Sequence, residues 1–337
     1  MKRFLLIIFS ILLGIISCQI QDNPQPFEET RFFMDTVVRI SIYPQGMSEK
    51  NMSAAMDKAF RMIEAMEIKT SVYIDTSEVK QIGAESGRNS VRVSPEVVQL
   101  LKNSISVSDQ SGGAFDVTIG AIKKLWGFDS DVPHVPDRSL LSSMLPKVDY
   151  HQIHIEDDYV MLNREGMQID LGGIAKGYII DRAVDILREN GVRAAIVDGG
   201  GDLRIIGSHP SRETWRIGIR HPRSENGELY GVIKTGEVSI ATSGDYERYF
   251  IQDGVRYHHI LDPKTGFPTN RCVSVTIVTE SAVLADAYAT AVFVLGPEKG
   301  MALIEQIQSV EGLIIYEEEG NLQHVVSDGL LQKIEFQ

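Results

Sequence analysis

An apolar run, Met167-Gln168-Ile169-Asp170-Leu171, passes without a linker into Gly172-Gly173-Ile174-Ala175-Lys176-Gly177-Tyr178. Glycines let a backbone approach a ligand closely, a helix N-terminus presents unpaired N–H groups and a positive dipole, and Lys176 adds a full charge there. Those properties suit a phosphate. The spacing matches neither the GxxxxGK[ST] of a Walker A loop nor the GxGxxG of a dinucleotide fold, so neither chemistry is read from it. A plain helix start with a solvated lysine fits the same residues, and the remaining partners of a site must come from elsewhere in the chain.

Three further segments carry chemistry-bearing residues. Ser111-Gly112-Gly113-Ala114-Phe115-Asp116-Val117-Thr118 is a glycine-rich turn followed by an aromatic ring and a carboxylate, suited to stacking a flat ring and accepting its donors. A plain turn with Phe115 in the core is the alternative. Ala241-Thr242-Ser243-Gly244-Asp245-Tyr246-Glu247-Arg248 is followed by Tyr257-His258-His259-Ile260-Leu261-Asp262-Pro263-Lys264-Thr265-Gly266. The Asp-Pro-Lys-Thr-Gly stretch is a turn signal, and adjacent histidines on a strand point to opposite faces, which argues against a two-histidine metal site. Inside an alanine-rich helix, Asp286 and Thr290 stand four residues apart on one face. Hard oxygen donors of this kind suit Mg²⁺, which takes its remaining ligands from phosphate and water. A back-bonded Thr290 beside a capping Asp286 is the structural alternative.

The elements that must position these residues are read from periodicity. Phe33 to Ile42 predicts a strand; Ser48 predicts the cap of a helix with the stripe Met52, Ala55, Met56, Ala59, Phe60 and Ile63; Ser94-Pro95-Glu96 starts a helix to about Gln110. A helix over 174–190 precedes strands at 194–198, 215–220 and 231–240. A strand at 273–279, a helix from Ser281 to Gly296-Pro297, a helix at 298–308 and strands at 313–316 and 322–326 complete the order. Strands and helices alternate without a strict βαβ rhythm, which favours α+β over a doubly wound sheet.

At the start of the chain, Lys2 and Arg3 precede Phe4 to Ile16, an apolar stretch too short to span a bilayer stably, and residues 1–17 read as a signal peptide. Its end, Ile15-Ile16-Ser17-Cys18, resembles a bacterial lipobox, with Cys18 as the lipidated residue. The expectation is an exported protein anchored by that lipid to a bacterial membrane at its periplasmic face. Residues 18–30, polar with Pro24 and Pro26, read as a tether, and residues 31–337 as the folded domain. Removing Lys2 and Arg3 takes the formal charge from -13 to -15, so nucleic acid is excluded as an expected partner. With Cys18 lipidated, Cys272 is the one remaining thiol, so stability must come from the core.

Together these segments resemble the ApbE family, the FAD:protein FMN transferases. The pattern is carried by Phe33-Met34-Asp35-Thr36, Ser71-Val72-Tyr73, Gly113 to Thr118, Leu125-Trp126-Gly127-Phe128, Asp170 to Gly177, Ala241 to Tyr246, His259 to Pro263 and Ala285-Asp286 through Thr290. The resemblance implies a T-fold-like, two-lobed α+β domain with mixed or antiparallel sheets and packed helices. It implies Mg²⁺ held by the side chains of Asp286 and Thr290 and the carbonyl of Gly173. It also implies an FAD site lined by Met34, Tyr73, Ala114, Phe115, Asp116, Asp170, Lys176 and His259 or Ile260. The implied reaction transfers FMN from FAD to a threonine or serine hydroxyl of an acceptor protein, which the family suggests is a subunit of a membrane redox complex, and releases AMP. Hydrolysis of FAD to FMN and AMP, and flavin binding without turnover, are the alternatives.

In that scheme Asp286, Lys176 and His259 are the catalytic residues. Lys176 meets charge developing between the phosphates. His259 is the candidate base because its unperturbed pKa suits proton transfer near neutrality, with Asp245 or Asp262 as orienters or substitutes. The chain departs from the family pattern at Asp35, where glycine is usual, and at Gly83, where asparagine often stands.

Overall fold

The run from Phe33 to Ile42, expected as one strand, is a hairpin corner: β1 (Phe27–Phe33) pairs with β2 (Thr36–Ile42), and the two residues between them, Met34 and Asp35, make the turn. Their φ angles of 53° and 57° lie in the left-handed region, the type I′ geometry that matches strand twist. Aspartate tolerates that region better than most non-glycine residues. These features are seen in a computed structural model, which describes residues 25–224 and 226–337.

After the hairpin come α1 (Glu49–Thr70), α2 (Glu78–Ala84), β3 (Val91–Arg92), α3 (Pro95–Gln110), α4 (Gly120–Trp126) and α5 (Arg138–Met144). The middle of the chain supplies β4 (Ile153–Glu156), β5 (Tyr159–Leu162), α6 (Ala175–Glu189), β6 (Ala195–Gly199), β7 (Asp202–Ile206), β8 (Trp215–Arg220), β9 (Leu229–Thr235) and β10 (Ser239–Gly244). The remainder is β11 (Tyr249–Gln252), β12 (Val255–His258), β13 (Ser274–Thr279), α7 (Ala282–Leu295), α8 (Pro297–Gln306), β14 (Glu311–Glu318), β15 (Asn321–Val326), α9 (Asp328–Leu331) and β16 (Ile334–Phe336). The stretch expected as one strand over 231–240 is two, β9 and β10, in different sheets.

The central sheet has eight strands in the order β1-β2-β6-β7-β10-β13-β14-β15, every neighbouring pair antiparallel. On one face Val38, Ile40 and Ile42 of β2 pack with Ala195 and Val197 of β6 against the α1 stripe and against Ile179, Ile180, Ala183, Val184 and Leu187 of α6. On the other face Ile240, Val278, Leu313 and Ile315 meet Ile219, Ile233 and Ile334 of a three-stranded sheet, β16-β9-β8. The α+β expectation holds, and the paired strands are antiparallel throughout. Ser48 caps α1 through its side chain, and all six residues of the expected stripe are buried.

Helix α7 is apolar around its whole circumference, the pattern of a helix enclosed by protein. All but Leu284, Thr290 and Leu295 are buried, and Asp286 is its one charged residue. It crosses α6 so closely that a Cβ on Gly177 would lie 2.1 Å from the carbonyl oxygen of Ala282. Asp181 of α6 caps α7, accepting from Ser281 Oγ at 3.0 Å, Ala282 N–H at 3.0 Å and Val283 N–H at 3.1 Å.

Two smaller parts flank the cavity described below. β11 and β12 form a two-stranded ribbon outside the central sheet, and its Phe250 and Tyr257 pack on Trp126 and Phe128. Trp126 Nε1 donates to the Gly266 carbonyl at 2.9 Å, fixing the Asp262-to-Gly266 turn against α4. The third sheet, β3-β5-β4, sits beside the segment leading to Asp170, whose amide donates to the Val117 carbonyl at 2.7 Å. Gly83 is where α2 meets that segment: a Cβ there would lie 2.6 Å from Gln168 Oε1.

The ordered domain begins earlier than Arg31. β1 starts at Phe27 because Glu28 accepts from Ser41 Oγ at 2.6 Å and alternate residues of the strand turn inward, so the last residues of the expected tether are in the sheet. The signal peptide, Cys18 and the start of the tether lie outside the described residues. Among the described residues no helix is long and apolar enough to cross a membrane.

Candidate functional site

A cavity of about 830 Å³ opens between the β1–β2 turn, the end of α1, the glycine-rich turn before α4, the start of α6, the end of β10 and α7. All twelve residues expected to bind FAD or metal line it: Met34, Tyr73, Ala114, Phe115, Asp116, Asp170, Gly173, Lys176, His259, Ile260, Asp286 and Thr290. The volume falls in the range of about 300–1,000 Å³ usual for ligand sites. Phe115 belongs to both readings, since it lines the cavity and packs in the core.

Charge at the floor is arranged around Lys176. Its ammonium donates to Asp202 Oδ2, whose other oxygen accepts the Thr242 N–H at 3.2 Å. Burial works against the lysine's charge, but Asp202 and Asp286 outweigh it and its pKa is raised. Asp286 is pushed up to about 7, first by burial and then by Asp202, against the opposing pull of Lys176 and the Gly177 N–H. That N–H donates to Asp286 Oδ2 at 3.1 Å. The expected phosphate cradle is therefore corrected in two respects. Lys176 is engaged by Asp202, and Gly177 is glycine because of the α6–α7 crossing, with its amide directed to a carboxylate.

Asp286 and Thr290 share the cavity-facing side of α7, and the other oxygen of Asp286 has no hydrogen-bond partner among the described residues. Gly173 lies directly against Thr290: a Cβ on it would sit 3.0 Å from Thr290 Oγ1 and 3.3 Å from Phe115 Cε2. Glycine thus lets a main-chain segment reach this hydroxyl. Among the described residues no three His, Cys, Asp or Glu side chains converge on one metal position. A set of one carboxylate, one hydroxyl and one carbonyl suits a cation that keeps water and phosphate ligands, so the residues fit Mg²⁺.

Two of the carboxylates expected at the flavin are engaged by the protein. Asp170 pairs with Lys123 Nζ at 2.8 Å and accepts the Gly172 N–H at 2.8 Å; despite burial, Lys123 holds its pKa below the ordinary carboxylate value. Asp116 accepts from Thr118 N–H at 2.8 Å, Thr118 Oγ1 at 2.6 Å and Tyr150 N–H at 3.0 Å, and burial raises its pKa. Both shape the turns that line the cavity. At the mouth, Tyr73 is largely exposed, and its pKa is raised by partial burial and by Asp129. Met34 N–H donates to Glu67 Oε1 at 2.7 Å, tying the hairpin turn to α1.

The two histidines divide as strand alternation requires. His258 is buried; its Nε2 donates to the Thr269 carbonyl at 2.6 Å and its Nδ1 accepts the Ile260 N–H at 3.3 Å, a structural role. His259 faces the cavity. Its Nδ1 lies 3.3 Å from the Arg248 carbonyl, which can only accept, so the neutral ring carries its proton there and presents Nε2 as an acceptor. Its pKa is not the ordinary one expected: burial, then Lys123, His258 and Arg248, press it down to about 3. Asp245 and Asp262 do not orient it. Asp245 is clamped by Arg223 at 2.6 and 2.7 Å, and Asp262 accepts the Lys264 N–H at 2.9 Å within its own turn.

Sequence reading missed Lys123, Asp202 and Arg248. The signal for Asp202 is present, since it directly follows Gly199-Gly200-Gly201. Lys123 and Arg248 carry none, because their partners lie far away in sequence.

Comparison with known proteins agrees with this geometry. A family model described as "ApbE family" matches residues 34–314. The FAD:protein FMN transferase of Treponema pallidum (strain Nichols) is 34% identical over 326 residues, 92% of this chain and 90% of that protein. The FAD:protein FMN transferase of Vibrio cholerae is 32% identical, covering 95% and 96%. Among solved structures, the ApbE protein of Thermotoga maritima superposes with a TM-score of 0.83 at 34% identity, over 92% of this chain and 99% of that one. The flavin transferase ApbE of Vibrio cholerae does so with a TM-score of 0.83 at 30% identity and the same coverage. A matched family model over most of the sequence and relatives this similar across nine-tenths of it show that the chain is a transferase of the ApbE family.

Proposed function

We propose that the protein transfers FMN from FAD to a threonine or serine hydroxyl of an acceptor protein, in a Mg²⁺-dependent reaction that releases AMP. The observation that carries this reading is the convergence of Asp286, Thr290, Gly173 and His259, from three segments, on one cavity. The acceptor oxygen forms a bond to the FMN phosphorus, the bond from that phosphorus to the oxygen of the AMP phosphate breaks, and the hydroxyl proton passes to His259 Nε2. Phosphoryl transfer depends chiefly on positioning and charge stabilisation. Mg²⁺, held by Asp286, Thr290 and the Gly173 carbonyl, supplies neutralisation of the pyrophosphate. Lys176 keeps Asp202 and Asp286 together and favours the ionised form of the ligand carboxylate. A neutral imidazole with its Nδ1 proton directed at a carbonyl presents Nε2 as the acceptor for that proton.

The remaining parts of the reading concern location. Residues 1–17 serve export, Cys18 carries lipid, and the acceptor is a subunit of a membrane redox complex on the periplasmic face. The test is incubation of the protein with FAD and Mg²⁺, with and without a co-expressed acceptor, following AMP release and the mass of the acceptor. AMP with an FMN adduct on threonine or serine supports transfer; AMP without any adduct supports hydrolysis instead; no AMP in either arm sinks the proposal.

A further inference from the structure

The ribbon β11–β12 ends one residue before His259, yet it stands outside every larger sheet, and a two-stranded ribbon is marginal on its own. Packing of Phe250 and Tyr257 on Trp126 and Phe128 holds one side. The other side is held at Arg248, the residue just before β11. Its guanidinium reaches Asp35 Oδ2 at 2.8 Å and Asp129 Oδ1 at 3.0 Å, while its carbonyl accepts the His259 N–H at 3.0 Å and faces His259 Nδ1 at 3.3 Å. One residue therefore joins the β1–β2 turn, the loop after α4 and the imidazole.

We infer that Asp35 is a positioning residue: by holding Arg248 together with Asp129, it fixes the carbonyl that orients His259 and so couples the hairpin turn at the cavity mouth to the group that receives the acceptor's proton. The second half of this inference rests on the proposed reaction; the first half rests on geometry. Among the described residues Asp35 makes no hydrogen bond into the core, and its side chain is 60% exposed, so its removal leaves the packing intact, and an exposed ion pair adds little to global stability. Its place in the turn at φ 57° makes glycine a replacement that removes the carboxylate and keeps the backbone. The charged and titratable groups that act on His259 include Lys123 of α4, His258, Arg248 and Asp170; the change keeps all four residues and removes only the Asp35 partner of Arg248.

The experiment compares the full chain with Asp35→Gly, Asp35→Asn, Arg248→Met and the Asp35→Gly/Arg248→Met double variant. The first readout is hydrogen–deuterium exchange at the His259 amide, which needs no turnover; Asp35→Gly is expected to speed it about tenfold, with Asp35→Asn between it and the parent. The second is AMP release, where kcat falls about 3- to 10-fold with KM for FAD within about twofold. In the Arg248→Met background the Asp35→Gly change adds less than about twofold, because the route is already cut. Unchanged exchange at His259, or fully additive increases in exchange rate, would overturn the inference. A parent that releases no AMP counts against the proposed reaction and leaves the exchange result to decide the role of Asp35.

Discussion

The Gly177 amide donates to Asp286 Oδ2 at 3.1 Å, so the one charged side chain of α7 sits on the N-terminus of α6. A carboxylate at this position is favoured by the helix dipole, which offsets part of the cost of burying it. The same contact orients Asp286 for a cation: one oxygen is fixed by the helix and the other faces the cavity.

Asp286→Asn keeps an oxygen for the Gly177 amide but loses the charge. AMP release should fall at least about 100-fold, a loss of about 2.7 kcal/mol in transition-state stabilisation, while the melting temperature stays near that of the parent. Isothermal titration with Mg²⁺ should show binding lost in the variant. Normal turnover there would remove Asp286 from the ligand set.

Acidity should act on the same residue. Its pKa is raised to about 7, so it is ionised above that value and protonated below it. Mg²⁺ affinity is then expected to weaken as pH falls from 8 through 7 to 6, while Asp286→Asn should show no binding at any of these values. A titration that is flat across the window in the parent would contradict the assignment.

His259 sets a second pH effect of defined sign. Its folded pKa of about 3 lies below the unfolded value, so the folded state binds fewer protons, and the stability lost on its account appears as pH falls from 6.5 toward 3. His259→Gln should therefore flatten the decline of melting temperature across that window while abolishing transfer. An unchanged slope would mean that the imidazole is not held neutral.

Gly177→Ala tests the crossing of α6 and α7. The added methyl would lie 2.1 Å from the Ala282 carbonyl oxygen, a contact between two backbones that no side-chain rotation relieves. Urea denaturation should show a loss of about 3 kcal/mol or more. A cost below about 1 kcal/mol, the helix-propensity scale, would show that the crossing has room.

Asp181→Ala removes three bonds at the start of α7 and the carboxylate 3.6 Å from buried Arg204, whose Nε and Nη1 have no hydrogen-bond partner among the described residues. The expected cost is about 3 kcal/mol, from the lost cap and the stranded charge together. Chemical denaturation measures it, and a neutral result would sink the capping argument.

Where sequence reading succeeded, the signal was local. The α1 stripe, the Ser48 cap and the Asp286–Thr290 pair are matters of helical period, and each is found as expected. The convergence of the loops was legible through the family pattern alone, because spacing within one segment says nothing about another. The β1–β2 turn escaped notice since two non-glycine residues at positive φ leave no compositional mark. Gly177 was misread for a related reason: a glycine needed for a helix crossing and one needed for a ligand look alike in sequence. The orienter of His259 was missed because it is a main-chain carbonyl, which every residue has.

The early start of β1 has a consequence for reach. Nine residue steps separate Cys18 from Phe27, which fully extended span no more than about 32 Å, and the seven residues of β1 then lead to Met34 at the cavity mouth. With lipid at Cys18, as proposed, the site hangs on a short leash. It can serve acceptor hydroxyls lying close above the bilayer, and partners whose flavin-bearing segment projects far from the membrane stay out of range.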